Sequence, residues 1–272
     1  MALLSLTSCN EKANPDTVFV SSSPVYILVK EIVGDIKPIE VVTPDGVEAH
    51  DYEISARKIA RIYDGLCLFV NGLKMESWAD SLPKTAKDKT YNLSDGIDTL
   101  TINGSIDPHI WLNPKNAIKE LETIKDTMIS LDSSNSAKYL SNYNEAVDKI
   151  TALDTECVAI ANNLNNKYLC VSHAAFGYMT DRYGLAQIAV NGLDPSQEPT
   201  TKTLEEIISV VKEYKISTIF AEEIGSKVIA EKIAKETGCK LETLSTMESV
   251  NEEDTYCSIY KENFEKIKEA GQ

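Results

Sequence analysis

Histidine is scarce in this 272-residue chain: it has three, His50, His109 and His173. Its six cysteines include no Cys-x-x-Cys pair, which leaves a thiolate metal site or a dithiol redox motif without support. Cys67, Cys157, Cys170, Cys239 and Cys257 fall mostly in apolar stretches, where a free thiol behaves as a small hydrophobe, so they read as core thiols. Five is an odd number and argues against a disulfide framework, although a single bridge such as Cys239 to Cys257 stays open. No apolar run reaches the roughly 18 residues of a membrane-spanning helix. Basic residues are outnumbered, 27 to 42, for a net charge of -15. That balance repels nucleic acid and anionic lipid, attracts cations weakly, and excludes a nucleic-acid partner. There is no helix-borne pair of histidines flanking a glutamate, no nucleophile elbow, and no His-rich or low-complexity insert.

Leu3, Leu4 and Leu6 open the chain, and the order Leu6-Thr7-Ser8-Cys9 resembles the bacterial lipobox, in which the cysteine becomes the lipidated first residue. A basic start and a full apolar core are missing, so residues 1–15 read as a truncated signal with a polar tether. The mature chain is then expected outside the cytoplasmic membrane, held by a lipid on Cys9.

The dominant stretch runs from about Ser134 to Leu164. Its apolar residues Tyr139, Tyr143, Val147, Ile150, Leu153, Cys157, Ile160 and Leu164 recur at steps of three and four, with no Pro or Gly between them. This predicts a continuous helix of roughly 45 Å. On both sides, short apolar strands such as TVFVSS, LCLFVNG, KYLCVSH and STIFAEE alternate with helical patterns, as in parallel sheets covered on both faces. The expected fold is therefore α/β: two small α/β sandwich lobes, at 16–133 and 165–272, each with a parallel sheet, joined by the helix at 134–164. A continuous strut opposes a large hinge closure, so the lobes should tilt only modestly. Residues 83–104 show no clear periodicity. Thr203, three residues before Glu206, reads as the cap of the helix after the LDPSQEPT loop.

His173 follows directly on a strand, and His50 and His109 stand in loops that precede helices. Ligands of parallel α/β sheets bind outside the carboxyl ends of the strands. Two facing lobes would thus bring the three imidazoles together. His173 precedes a predicted helix whose N-terminal dipole disfavours the imidazolium. Three imidazoles and a carboxylate suit Zn²⁺, with Mn²⁺ and Fe²⁺ as alternatives.

The segments EAHDYEIS, FVNGLKMESWADSL, DPHIWLNPKNA, SHAAFGYMTDRYGL and LETLSTMES, in that order from Val18 to the end, resemble the zinc/manganese substrate-binding proteins of ATP-binding-cassette importers (cluster A-I). The resemblance implies a metal held by the histidines of three loops, here His50, His109 and His173. The fourth ligand it implies is an acidic residue after the last strand of the second lobe. Glu248 in LSTMES matches the Glu of the LNPLES-like pattern of many zinc members, while Glu222 and Glu223 at another strand end compete with it. Manganese members more often carry an Asp where this chain has Ser245, and a Glu in place of the third His. The set therefore favours zinc, although the His-rich loop of some zinc members is missing. Trp78 and Trp111 read as packing residues, the second as a shield against water.

The implied function is a monomeric, lipid-anchored receptor that captures a divalent metal ion, Zn²⁺ first, and passes it to a membrane permease without chemistry. Two rivals remain. One is a zinc hydrolase using the three histidines with Glu248 or Glu222 as general base. The other is a surface adhesin whose metal is structural.

Overall fold

In the computed structural model, which describes residues 13–193 and 199–272, the wholly buried run Val18–Val20 forms β1. Ser23–Val33 forms α1, with Pro24 in the first turn, where a missing N–H costs nothing. There follow β2 (Ile39–Val41), α2 (Ala56–Asp64), β3 (Cys67–Val70), α3 (Lys84–Lys87) and β4 (Thr90–Asn92). These strands make one parallel sheet in the order β2-β1-β3-β4. Edge strand β4 lies in the stretch without readable periodicity; its residues are polar and only half-buried, so no apolar run announces it. The same stretch begins a two-stranded hairpin, β5 (Thr101–Ile102) and β6 (Ser105–Ile106). Asn103 and Gly104 turn it, both at positive φ, as a tight hairpin requires. The predicted short helix around MESWADSL is a 3-10 turn, Ser77–Ser81.

Asn113 caps α4 (Pro114–Leu131) by accepting from the Lys115 amide at 3.0 Å. The long stretch is helical without a break as α5 (Ser136–Asn162), about 40 Å of rod. Tyr139, Ile150, Leu153 and Cys157 are buried along it as the spacing predicts, while Tyr143, Val147 and Ile160 are half-buried. Near its start Asn142 donates to the carbonyl of Ile32 in α1 at 2.9 Å. Further along, Asp154 pairs with Arg182 at 2.5 Å and accepts from Tyr183 at 2.9 Å. The helix is thus tied to elements before it and after it.

The second half contains β7 (Tyr168–Val171), α6 (Gly177–Tyr183), β8 (Ala186–Ala189), α7 (Thr201–Glu213), β9 (Thr218–Ala221), α8 (Val228–Thr237), β10 (Lys240–Thr243) and α9 (Tyr256–Ala270). Its sheet is again parallel, in the order β10-β9-β7-β8. The cap of α7 is Thr200, not Thr203: the Thr200 hydroxyl accepts from the Thr203 amide at 3.2 Å. The five cysteines among the described residues are all free, so no bridge joins Cys239 to Cys257. Cys9 and its lipobox-like context lie outside the described residues, as does most of the LDPSQEPT loop. Among the described residues no helix is long and apolar enough to cross a membrane.

One apolar cluster runs from Val18 and Phe69 of the first sheet through α1, α4, α5 and α9 to Val171 and Phe220 of the second. Full burial of each such side chain contributes ~1.5–3 kcal/mol. The two sheets therefore share a core.

Candidate metal centre

His109 is positioned by a chain of buried hydrogen bonds that begins on β1. At the end of that strand Ser21 donates to the Glu76 carboxylate at 2.5 Å, and the amides of Asn71 and Gly72, just beyond β3, donate to it at 2.9 and 3.0 Å. Gly72, Leu73 and Lys74 all take positive φ, a tight left-handed turn that folds Glu76 back under the strand ends. Asn71 then donates from Nδ2 to the carbonyl of Pro108 at 2.9 Å, which fixes the residue before His109. On the far side Trp111 donates from Nε1 to the Thr246 carbonyl at 2.8 Å. From α9, the hydroxyls of Tyr256 and Tyr260 donate to the carbonyls of Trp111 and Leu112, each at 2.8 Å. The 110–112 turn is thereby clamped to the second half of the chain, and Trp111 covers His109 with ring centroids 5.4 Å apart.

The three imidazoles meet. His109 Nε2 stands 3.5 Å from His50 Nε2 and 3.3 Å from His173 Nε2. Nitrogens bound to a tetrahedral zinc at about 2.0–2.1 Å are about 3.3–3.4 Å apart, so these two spacings are close to those between corners of such a site, and all three nitrogens lie within 4.8 Å of one another. His109 and His173 are fully buried; His50, in the loop between β2 and α2, is half-buried.

Carboxylates behind two of the rings set their orientation. Asp107 Oδ1 accepts from His109 Nδ1 at 2.7 Å and from the His109 amide at 3.0 Å. Glu222 Oε1 accepts from His173 Nδ1 at 2.5 Å and from the Ser172 hydroxyl at 2.9 Å. With Nδ1–H engaged, each ring turns its Nε2 lone pair to the common centre, the arrangement that metal-binding histidines use. Glu222 therefore stands behind the His173 ring, on its Nδ1 side. Glu223 is exposed and accepts from the Ser245 hydroxyl at 2.8 Å. A three-residue 3-10 turn, Ala174–Phe176, separates His173 from α6, so His173 does not directly precede that helix as its sequence context predicted.

Burial, and then the positive charge that His173 would carry, hold the His109 pKa well below the usual imidazole range. The ring stays neutral, as a metal ligand must. Burial pushes Asp107 up to about 7. Burial alone would raise Glu222, but the hydrogen bond and charge of His173 outweigh it and keep that carboxyl below its ordinary value.

Glu248 stands in the loop after β10, beside Met247, which is buried at a positive φ of 66°. Its Oε2 accepts from the Thr246 hydroxyl at 3.1 Å, and its Oε1 has no hydrogen-bond partner among the described residues. Burial, followed by the charges of Glu48 and Glu222, raises its pKa well above the carboxylate range. Its ligand oxygen lies within 4.8 Å of those of Glu48 and His50, and it is grouped with these two, not with all three imidazoles. Glu48 is a residue that sequence reading passed over. Of the tryptophans read as packing, Trp78 and Trp111 are both buried.

A profile of the family described as "Zinc-uptake complex component A periplasmic" matches residues 18–270. This chain belongs to that family. It is a family of solute-binding receptors, not of enzymes. The high-affinity zinc uptake system protein ZnuA of Bacillus subtilis (strain 168) is 31% identical, across 97% of this chain and 90% of its own length. The zinc-binding lipoprotein AdcA of Streptococcus pneumoniae serotype 4 is 30% identical over 99% of this chain, which spans 59% of AdcA. Among solved structures, the laminin-binding protein Lmb of Streptococcus agalactiae, described as bifunctional with adhesin and metal-transporting activity, superimposes with a TM-score of 0.89 at 30% identity. That match covers 94% of this chain and 99% of Lmb.

Of the two orienting carboxylates, sequence reading missed Asp107 and took Glu222 for a competing ligand or a general base instead of the partner of His173 Nδ1. Asp107 had a signal, its place two residues before His109. Glu222 stands 49 residues from His173 and becomes its neighbour only through strand pairing.

Proposed function

We propose that this chain is an extracytoplasmic receptor that captures Zn²⁺ with His50, His109, His173 and Glu248 and delivers it to the permease of an ATP-binding-cassette importer. The observation that carries the reading is the meeting of three imidazole Nε2 atoms at 3.3 and 3.5 Å in a family of zinc-uptake receptors. The donor set supports zinc over manganese, since nitrogen predominates and Ser245 stands where manganese members carry an acid. Glu248 joins the imidazoles through a side-chain movement, drawn by the cation that relieves its contact with Glu48. Four protein ligands close a zinc shell, and a closed shell holds the ion without activating water. Nanomolar affinity corresponds to about -12 kcal/mol, which docking to the permease must overcome for release.

The lipid anchor on Cys9 rests on the Leu6-Thr7-Ser8-Cys9 pattern and on the lipoprotein relative AdcA; the receptor acts as a monomer. An adhesin role has one support, the likeness to Lmb. Thermal unfolding with added Zn²⁺ tests the main reading. A thousandfold excess over Kd stabilises by about 4 kcal/mol, a rise on the order of 10 °C. A melting temperature indifferent to Zn²⁺, Mn²⁺ and Fe²⁺ would remove it.

A further inference from the structure

Glu48, His50 and Glu248 offer three ligand atoms that all lie within 4.8 Å of one another, a grouping separate from the three imidazoles but sharing His50 with them. Two of its members are carboxylates that no cation neutralises: among the described residues no Lys or Arg forms an ion pair with either. Glu248 is nine-tenths buried, at 5% exposure. Its Oε1 and the Oε1 of Glu48 are both sealed from solvent and lack any hydrogen-bond donor among the described residues. Two carboxylates this close, each with one oxygen sealed from water, repel each other. Such a pair persists where a cation, or a proton, joins it. Glu48 also lines a cavity of about 390 Å³ together with Asp51, His173 and Glu222, so this grouping borders open space while His109 lies behind it.

We propose that Glu48, His50 and Glu248 form a second divalent-metal position, weaker than the principal position and overlapping it through His50 and through Glu248, with Glu48 as its distinguishing ligand. The inference rests on the imidazoles being the principal site. Since His50 belongs to both, the two positions are alternative stations for one ion. An ion moving between them keeps His50 as a partner, and Glu248 follows it inward. The outer donors are two carboxylates and one imidazole, a harder set than three imidazoles, and it discriminates less between zinc and manganese.

The experiment is a Co²⁺ and Zn²⁺ titration of variants in which the inner position is disabled. His173→Asn preserves a donor for Glu222 and removes one imidazole ligand; His173→Ala and the melting temperature of each metal-free variant check that the fold survives. H173N is expected to bind one ion about a hundredfold more weakly than the wild type. Adding Glu48→Gln should weaken this residual binding a further tenfold or so, whereas adding Asp51→Asn, which removes the same charge from the same cavity, should change it by less than about twofold. Residual binding that ignores E48Q, or that falls equally with D51N, overturns the second position, as does an H173N protein that binds no metal. An H173N protein that binds as tightly as the wild type overturns instead the principal site on which the inference rests.

Discussion

His173 donates from Nδ1 to Oε1 of Glu222 across 2.5 Å because the parallel pairing of β7 with β9 sets Val171 opposite Phe220, and two further residues on each strand bring the pair together. The contact decides which ring nitrogen faces the centre. Glu222→Gln, whose amide can donate to Nδ1, favours the wrong tautomer. The expected loss in zinc affinity is about 10–100-fold, smaller than that of His173→Ala. Competitive titration against a chelator of known affinity measures it, and an unchanged constant would show that Glu222 does not orient the ring.

A methyl group at Gly177 tests the other orienting carboxylate without touching it. A Cβ there would stand 2.5 Å from Asp107 Oδ2, so the Asp107 side chain must move and His109 must follow. Gly177→Ala should cost ~1–3 kcal/mol of stability and weaken zinc binding. Denaturant melts and zinc titration check the two effects; a variant that binds zinc normally would mean that the Asp107 contact is dispensable.

Tyr256 and Tyr260 hold the carbonyls of Trp111 and Leu112 from α9. Replacing either by Phe leaves a buried carbonyl unpaired, at a cost of about 1–3 kcal/mol. Each substitution should lower the melting temperature by several degrees. Because the clamped turn begins at His109, each should also reduce the stabilisation conferred by zinc. Thermal melts with and without zinc separate the two.

Glu248 predicts a pH dependence. Its folded pKa is raised well above 4.5, chiefly by burial, so the folded chain keeps a proton that the unfolded chain has already lost. Stability therefore falls as pH rises from about 4.5 through the folded value. Glu248→Gln removes that loss. In metal-free protein its melting temperature should exceed the wild type by more at pH 8 than at pH 5; a difference independent of pH would refute the assignment. At a pH below the folded value, zinc binding should also release this proton, seen as a dependence of binding heat on buffer ionisation that E248Q reduces.

The parts of this molecule that follow a local rule could be read from the chain. The three- and four-residue steps of α5 and the Asn113-Pro114 start of α4 are patterns of neighbours and stand as read, while the strand expected to end at His173 stops at Val171, two residues short of it. What could not be read depends on partners distant in sequence or on weak local signals. The polar edge strand β4 exists because Leu68 and Val70 offer it a ladder. Thr200 caps α7 where Thr203 had the better motif, since the cap is decided by where the preceding backbone turns. The meeting of the imidazoles followed from the rule that loops gather at strand ends. The position of Glu48 beside Glu248, 200 residues later, required the fold itself.

X-ray absorption at the zinc edge of the protein loaded with one equivalent of Zn²⁺ addresses the central assignment most directly. The expected spectrum is that of four light-atom ligands at about 2.0–2.1 Å, with the multiple-scattering signature of three imidazoles, one of them lost in His109→Ala. A sulfur shell, or six oxygen neighbours without imidazole, would contradict it.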